Sequence, residues 1–350
     1  MDRLPRYRDK DYLQTTEDYL FCVVGPVHPS DRVIAYLKYA PDPSGRWGKA
    51  EARFTRALRD YTTPALVGTL GFLESHPDYL YQSSVLGIKM SAVPLRRISV
   101  HFRPEEKMHQ LRLMKRPDAL QRRAVDLANL VSDESGVPIE SLGITGSVLL
   151  DIHQDFSDID LVVYGMRDSR VMKETLTRLF DEQGSPVLRF SREMAEKWCS
   201  EKASNLPLTY EEAQAILERK WGRGQFEGTL FSVHPVKLEK EVFERYGDRI
   251  YMARGMVTIE AVVSDASEAD FLPSICKVRD VAIVEGNQVE DICEVTSYDG
   301  LYGGIAEKGE SIVAHGKLES VTDKKLGKQY HRVLVGSIEA QGRDYIKLVC

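Results

Sequence analysis

The chain has 350 residues, 43% of them hydrophobic, which is enough for two or three globular domains with cores of their own. A net charge of −6 excludes a surface coated in basic residues but not a local basic groove, and five scattered cysteines without a CxxC pair exclude a disulfide framework and a zinc site and fit a reducing, cytoplasmic setting. No run approaches the ~20 apolar residues of a membrane span and the opening MDRLPRYRDKDY is too charged for a secretory segment, so no membrane partner is expected.

Residues 1–103 read as a mixed, β-containing domain. Residues 19–27 (YLFCVVGPV) and 33–39 (VIAYLKY) are rich in β-branched and aromatic side chains and predict strands around a His-Pro-Ser-Asp turn. Residues 50–61, with Ala52, Leu58 and Tyr61 as its apolar positions, are expected to form a helix. Residues 97–102 form another short strand, and nothing in this domain spells a catalytic site. His28 and His101 read as turn and surface residues. A helical connector over 104–138 follows, split by Pro117, with Leu120, Ala124, Leu127 and Val131 as the buried stripe of its second helix.

Residues 142–165, LGITGSVLLDIHQDFSDIDLVVYG, carry the chemistry. An apolar strand ends in Gly146-Ser147, ten residues intervene, and Asp158-Ile159-Asp160 opens a second apolar strand. Alternate strand residues share a face, so Asp158 and Asp160 can grip one divalent cation or bridge two. Gly146 lets the backbone approach phosphate, and Ser147 is expected to open a helix over 148–153 whose N–H groups face the anion. The plainer alternative is two aspartates that start a strand after a polar turn.

Gly-Ser, this spacer and Asp-x-Asp between apolar residues resemble the signature of the DNA-polymerase-β-like nucleotidyltransferase superfamily. The likeness spans 140–231, about a quarter of the chain, and is similar to that of the predicted archaeal nucleotidyltransferases. It implies an α+β protein: a nucleotidyltransferase-like core over 139–240, flanked by the N-terminal domain and a C-terminal barrel. It also implies Mg²⁺ or Mn²⁺ on Asp158 and Asp160 and a nucleoside triphosphate as substrate, cradled by Gly146 and Ser147.

Beyond this stretch the pattern predicts helices over 169–182 and 191–200. A third runs over 210–221, with Thr209 and Glu212 forming a capping box. Arg219, Lys220 and Arg223 close that helix and are candidates for steadying the pyrophosphate. The strand over 228–235 is where the superfamily would carry a third acid. This strand holds none: Leu230, Ser232 and His234 share one face, Phe231 and Val233 the other. His234 is the candidate base in its place, and whether turnover survives is left open.

From 249 onward six short strands separated by Gly, Asn and Asp turns predict a small all-β barrel or sandwich, with an OB-like barrel as one form. Lys324, Lys325, Lys328, Tyr330 and Arg332 cluster around one turn as a candidate nucleic-acid surface, against the alternative of a hairpin kept soluble by lysines. The expected activity is transfer of an NMP to an acceptor hydroxyl, with RNA favoured because of that barrel. The rival expectations are a catalytically degenerate module that binds a nucleotide or RNA, and a scaffold for a protein partner.

Overall fold

The computed structural model of the protein describes residues 6–49, 52–58 and 63–349. It is a mixed α+β chain built on three sheets. The first comprises β1 (Tyr12–Thr15), β2 (Leu20–Val23), β3 (Arg32–Pro41), β4 (Trp47–Lys49), β5 (Ala52–Arg56), β6 (Leu80–Ser83), β7 (Ile88–Pro94) and β8 (Ile98–Phe102), with α1 (Thr63–Phe72) after β5. Its strands pair antiparallel in the order β4-β5-β3-β2-β1-β8, while β7 joins the other half of β3 and carries β6. Residues 50–61, expected to be helical, instead supply β5. The cause is tertiary: the Tyr39–Pro41 edge of β3 takes Phe54, Thr55 and Arg56 as its ladder partners. Residues 50, 51 and 59–61 lie outside the described residues.

In β3, Tyr39 pairs with Leu20 and Leu37 pairs with Phe21, so Lys38 is the extra residue of a β-bulge. One face of the sheet buries Leu13, Phe21, Val33 and Leu37 under Leu73 and Tyr79. The other face presents Tyr12, Leu20, Cys22, Tyr39 and Phe54 to Leu149, Leu150 and Ile152. At ~1.5–3 kcal/mol per fully buried large aliphatic side chain, those three residues seat the segment after Gly146-Ser147 on the first sheet.

Next come α2 (Pro104–Leu113) and α3 (Ala119–Ser135). Then follow β9 (Leu142–Ile144), α4 (Gly146–Leu149), β10 (Ile159–Tyr164), α5 (Met166–Asp181), β11 (Val187–Leu188), α6 (Arg192–Asn205), α7 (Tyr210–Glu218), β12 (Arg223–Phe226) and β13 (Thr229–Val236). The second sheet runs β11-β12-β13-β10-β9, with β10 parallel to β13 and the other pairs antiparallel. Ile159, Leu161, Val163, Phe231 and Val233 face α2, α3 and α5 through Leu111, Leu127, Val131, Met172 and Leu176. By strand alternation Asp160, Ser232 and His234 stand on the opposite face. The helix expected over 148–153 is only the single turn α4, with Thr145 rather than Ser147 at its N-cap. Asp151 takes φ 55°, the left-handed region, and the chain then turns away so that Leu150 and Ile152 meet the first sheet.

The third sheet holds β14 (Arg249–Glu268), β15 (Ser274–Gly286), β16 (Ile292–Ser297), β17 (Ser311–Asp323), β18 (Lys328–Val335) and β19 (Tyr345–Leu348). Because β14 pairs with both β15 and β17, five strands close in the order β14-β15-β16-β18-β17-β14, with β16 and β18 parallel and β19 added to β17. Val257, Ile259, Leu318 and Val333 fill the interior. No helix among the described residues is long and apolar enough to cross a membrane.

Candidate active site

β10 forms because Leu161, Val162, Val163 and Tyr164 are buried between β9 and β13, and its entrance carries the two aspartates. Asp158 lies exposed just before the strand and Asp160 half-buried within it. Gly146 sits directly against Asp160: its φ is +68°, and a Cβ there would stand 2.2 Å from Asp160 Oδ2. Only glycine fits both demands. Gly146 and Asp160 are therefore brought together, as the spacing suggested, while Ser147 is buried at the start of the turn. With four residues, α4 is too short for its end to act as an anion site by itself.

Across the sheet, Asp160 pairs with Ser232 on β13, and Ser232 pairs with Arg223 on β12. Ser232 thus occupies the strand position next to Asp160 where a further carboxylate could have stood. Its Oγ donates to Asp160 Oδ1 at 2.5 Å and lies 2.8 Å from His234 Nε2. A serine has one hydroxyl proton, and here it goes to Asp160, so Nε2 of His234 is assigned as the donor toward Ser232. His234 Nε2 also lies 3.6 Å from Asp160 Oδ1. This geometry makes His234 a group that orients Asp160, and its Nε2 is occupied rather than poised to take a proton.

Burial alone would raise the Asp160 carboxyl, but the nearby His234 ring, the hydrogen bond from Ser232 and the charge of Lys38 hold it well below the usual carboxylate range. Asp158 is displaced the other way, first by the charge on Asp160, and is opposed by Arg56 and Lys38. Burial lowers His234, which favours the neutral ring. The pair is thus one firmly ionised carboxylate crowding a second.

The cations at this site come from unexpected places. Lys38, on the β3 bulge and only 4% exposed, and Arg56 on β5 reach the aspartates from the first sheet. Lys10 and Arg223 bear on His234. Of the three basic residues expected beside the phosphates, only Arg223 is on this face. Arg219 turns to the barrel instead, with two 2.8 Å bonds to Glu310. Lys220 donates to the carbonyls of Gly300 and Gly303 at 3.0 and 2.6 Å, and burial brings its pKa down to about 7. The reason is that α7 ends at Glu218 and the next three residues anchor it to the barrel, Trp221 Nε1 donating to Asp270 at 2.7 Å.

The candidate nucleic-acid cluster also divides. Lys324, Lys325 and Lys328 are exposed on the β17–β18 hairpin. Tyr330 is half-buried, and Arg332 is withdrawn altogether at 4% exposure. Its guanidinium donates to Glu319 at 2.8 Å, stands 3.7 Å from Glu294 and lies 3.7 Å from the Tyr251 ring centroid. Those groups exclude it from contacting phosphate.

Among the described residues no group of three or more His, Cys, Asp and Glu side chains is gathered to hold a metal by itself. Two crowded carboxylates still suit a hard divalent cation that takes its other oxygens from phosphate and water. Sequence reasoning missed Lys38, although a lysine amid Ala, Tyr and Leu in a strand is itself a signal that it has a specific partner.

No family model and no solved structure matches the chain. The uncharacterized protein MJ1086 of Methanocaldococcus jannaschii is 32% identical to it over 349 residues, which cover 98% of this chain and 99% of that one. At that identity and coverage the chain belongs to the same family as MJ1086.

Proposed function

We propose that the chain is a metal-dependent nucleotidyltransferase that moves an NMP from an NTP to an acceptor hydroxyl. The observation that carries this reading is the packing of Gly146 against Asp160, with Asp158 beside it and cations facing both. Asp158 and Asp160 would hold Mg²⁺ or Mn²⁺, which neutralises charge on the triphosphate and relieves the repulsion between the two carboxylates. Lys38 and Arg56 add positive charge beside them, and Gly146 leaves room for the Asp160 carboxylate. The acceptor oxygen forms a new bond to the α-phosphorus, the bond to the bridging oxygen breaks, and pyrophosphate leaves with its electron pair. Ser232 and His234 hold Asp160 in position. The acceptor proton passes to solvent.

Incubation with each labelled NTP, Mg²⁺ or Mn²⁺ and total RNA or protein should give label transfer that Asp160→Asn abolishes. A second reading, nucleotide or RNA binding without transfer, is favoured by Ser232 standing where a third acid is expected. Metal-dependent NTP binding with no label transfer to any acceptor would select it. Absence of metal-dependent NTP binding in the wild type would defeat the transferase and the nucleotide-binding readings and leave only RNA binding.

The five-strand order of the third sheet, with its one parallel pair, agrees with an OB-like barrel and supports RNA as the acceptor class.

A further inference from the structure

The first sheet brings aromatic side chains as well as cations to the aspartates. Trp47 on β4 lies between Tyr39 and Phe156, with ring centroids 5.7 and 5.8 Å away. Phe156 is two residues before Asp158, so their Cα atoms are at most about 7 Å apart. It is 55% exposed, and the Arg46 guanidinium lies 4.8 Å from its ring centroid. The shelf is fixed to the site by two hydrogen bonds: Gly48 N donates to Ile152 O at 2.8 Å, and the Gln154 side chain donates through Nε2 to Gly48 O at 2.7 Å. Tyr39 pairs in register with Arg56, which acts on Asp158, and follows Lys38, which acts on both aspartates.

We infer that this face is a nucleoside-triphosphate subsite in which the nucleobase stacks on Phe156, braced by Trp47, while Arg56 faces the phosphates and the buried Lys38 adds its charge from beneath. The inference rests on the nucleotidyltransferase reading and adds where the base lies and which sheet reads it. An exposed aromatic ring beside a flat guanidinium suits a π-face of any base. Arg46 stacks on the far side of the base once it enters. The cations complement a polyanion that the two carboxylates alone would repel. Stacking of this kind tolerates every base, so the subsite selects a nucleotide over a bare polyphosphate rather than one base over another.

The test is calorimetric titration of the full chain in Mg²⁺ with each of four NTPs and with inorganic tripolyphosphate. The wild type should bind NTPs roughly ten- to a hundredfold more tightly than tripolyphosphate, the range of one base–aromatic stack. Phe156→Ala should bring the two affinities together, Phe156→Tyr should restore the difference, and Lys38→Gln should weaken both ligands alike. Phe156 is exposed, so its alanine variant tests the shelf even if Trp47→Ala fails to fold. Equal wild-type affinity for NTP and tripolyphosphate would overturn the shelf and leave the metal–phosphate site standing. So would an undiminished NTP advantage in Phe156→Ala, including the case where that variant loses only RNA acceptor binding. Binding of neither ligand would overturn the nucleotidyltransferase reading and this inference with it.

Discussion

A methyl group at Gly146 has nowhere to go. Its backbone is left-handed, which costs an L-residue about 1–2 kcal/mol, and the nearest atom to the added carbon is a carboxylate oxygen of Asp160. Gly146→Ala is therefore expected to lower stability by about 1–2 kcal/mol in urea unfolding and to displace Asp160 from Ser232. Metal-dependent NTP binding should fall with it, and unchanged binding in a folded variant would separate the glycine from the site. The Gly-Ser and Asp-x-Asp residues were legible in the sequence because one short local segment holds them. Lys38 and Arg56 were not, because a bulge and a strand pairing bring them in from over a hundred residues away. His28 offers a second test, away from the aspartates. Its Nδ1 accepts from Ile34 N at 3.2 Å and its Nε2 donates to Tyr7 O at 3.3 Å, so only the neutral ring satisfies both. Burial lowers its pKa to about 4. The unfolded ring titrates near 6.5, so between these values the unfolded chain binds the extra proton. The contribution of His28 is full above pH ~6.5 and is lost as pH falls toward 4, by up to about 3 kcal/mol. His28→Asn, which keeps an acceptor for Ile34, should flatten stability over that window; an unaltered pH profile would show that His28 does not titrate there.

At the scale of elements, local signals worked where they were self-contained. The capping box of Thr209 and Glu212 is present as read, and α7 starts at Tyr210. β13 shows the expected alternation, with Phe231 and Val233 inside and Ser232 and His234 turned to the site. They failed where a neighbour decided the outcome. Residues 50–61 are expected to be helical, yet the edge of β3 draws Ala52–Arg56 into a strand. The cations after α7 have the look of a solvated helix end, yet Glu310 and the carbonyls of Gly300 and Gly303 on the barrel claim them. The start of α3 makes a measurable case of the first kind. Asp118 accepts from Gln121 N at 3.0 Å and from the His153 ring at 2.8 Å, so one side chain caps the helix and holds the segment after α4. Asp118→Ala should cost about 1–2 kcal/mol, while Asp118→Asn, which still caps, should cost less than half of that. Chemical denaturation of both variants checks the expectation, and equal losses would assign the effect to the hydrogen bond with His153 instead.

At the scale of the whole molecule, the site is closed from two sides by different sheets, and the barrel is joined to the second sheet through α7. Two of the barrel's cations are spent internally, since Lys317 lies 3.0 Å from Glu319 and Arg332 is held by Glu319 and Glu294. The β17–β18 hairpin keeps a cluster for an acceptor, with Lys324, Lys325 and Lys328 exposed in a chain of net charge −6. If RNA is the acceptor, each lysine that meets a phosphate releases counterions, with a slope of about −0.7 in log affinity against log salt on a single strand. Replacing all three with Gln should therefore flatten the slope by about two, without changing NTP binding at Asp158 and Asp160. Arg332→Gln makes the complementary control: it should leave the slope alone and lower stability, because it leaves the buried Glu294 without its cation and Glu319 with Lys317 alone. A slope that follows Arg332 instead of the lysines would mean that the buried cluster opens on binding. Full-length protein without RNA affinity at low salt would remove RNA as the acceptor and make the hairpin a lysine-solubilised edge.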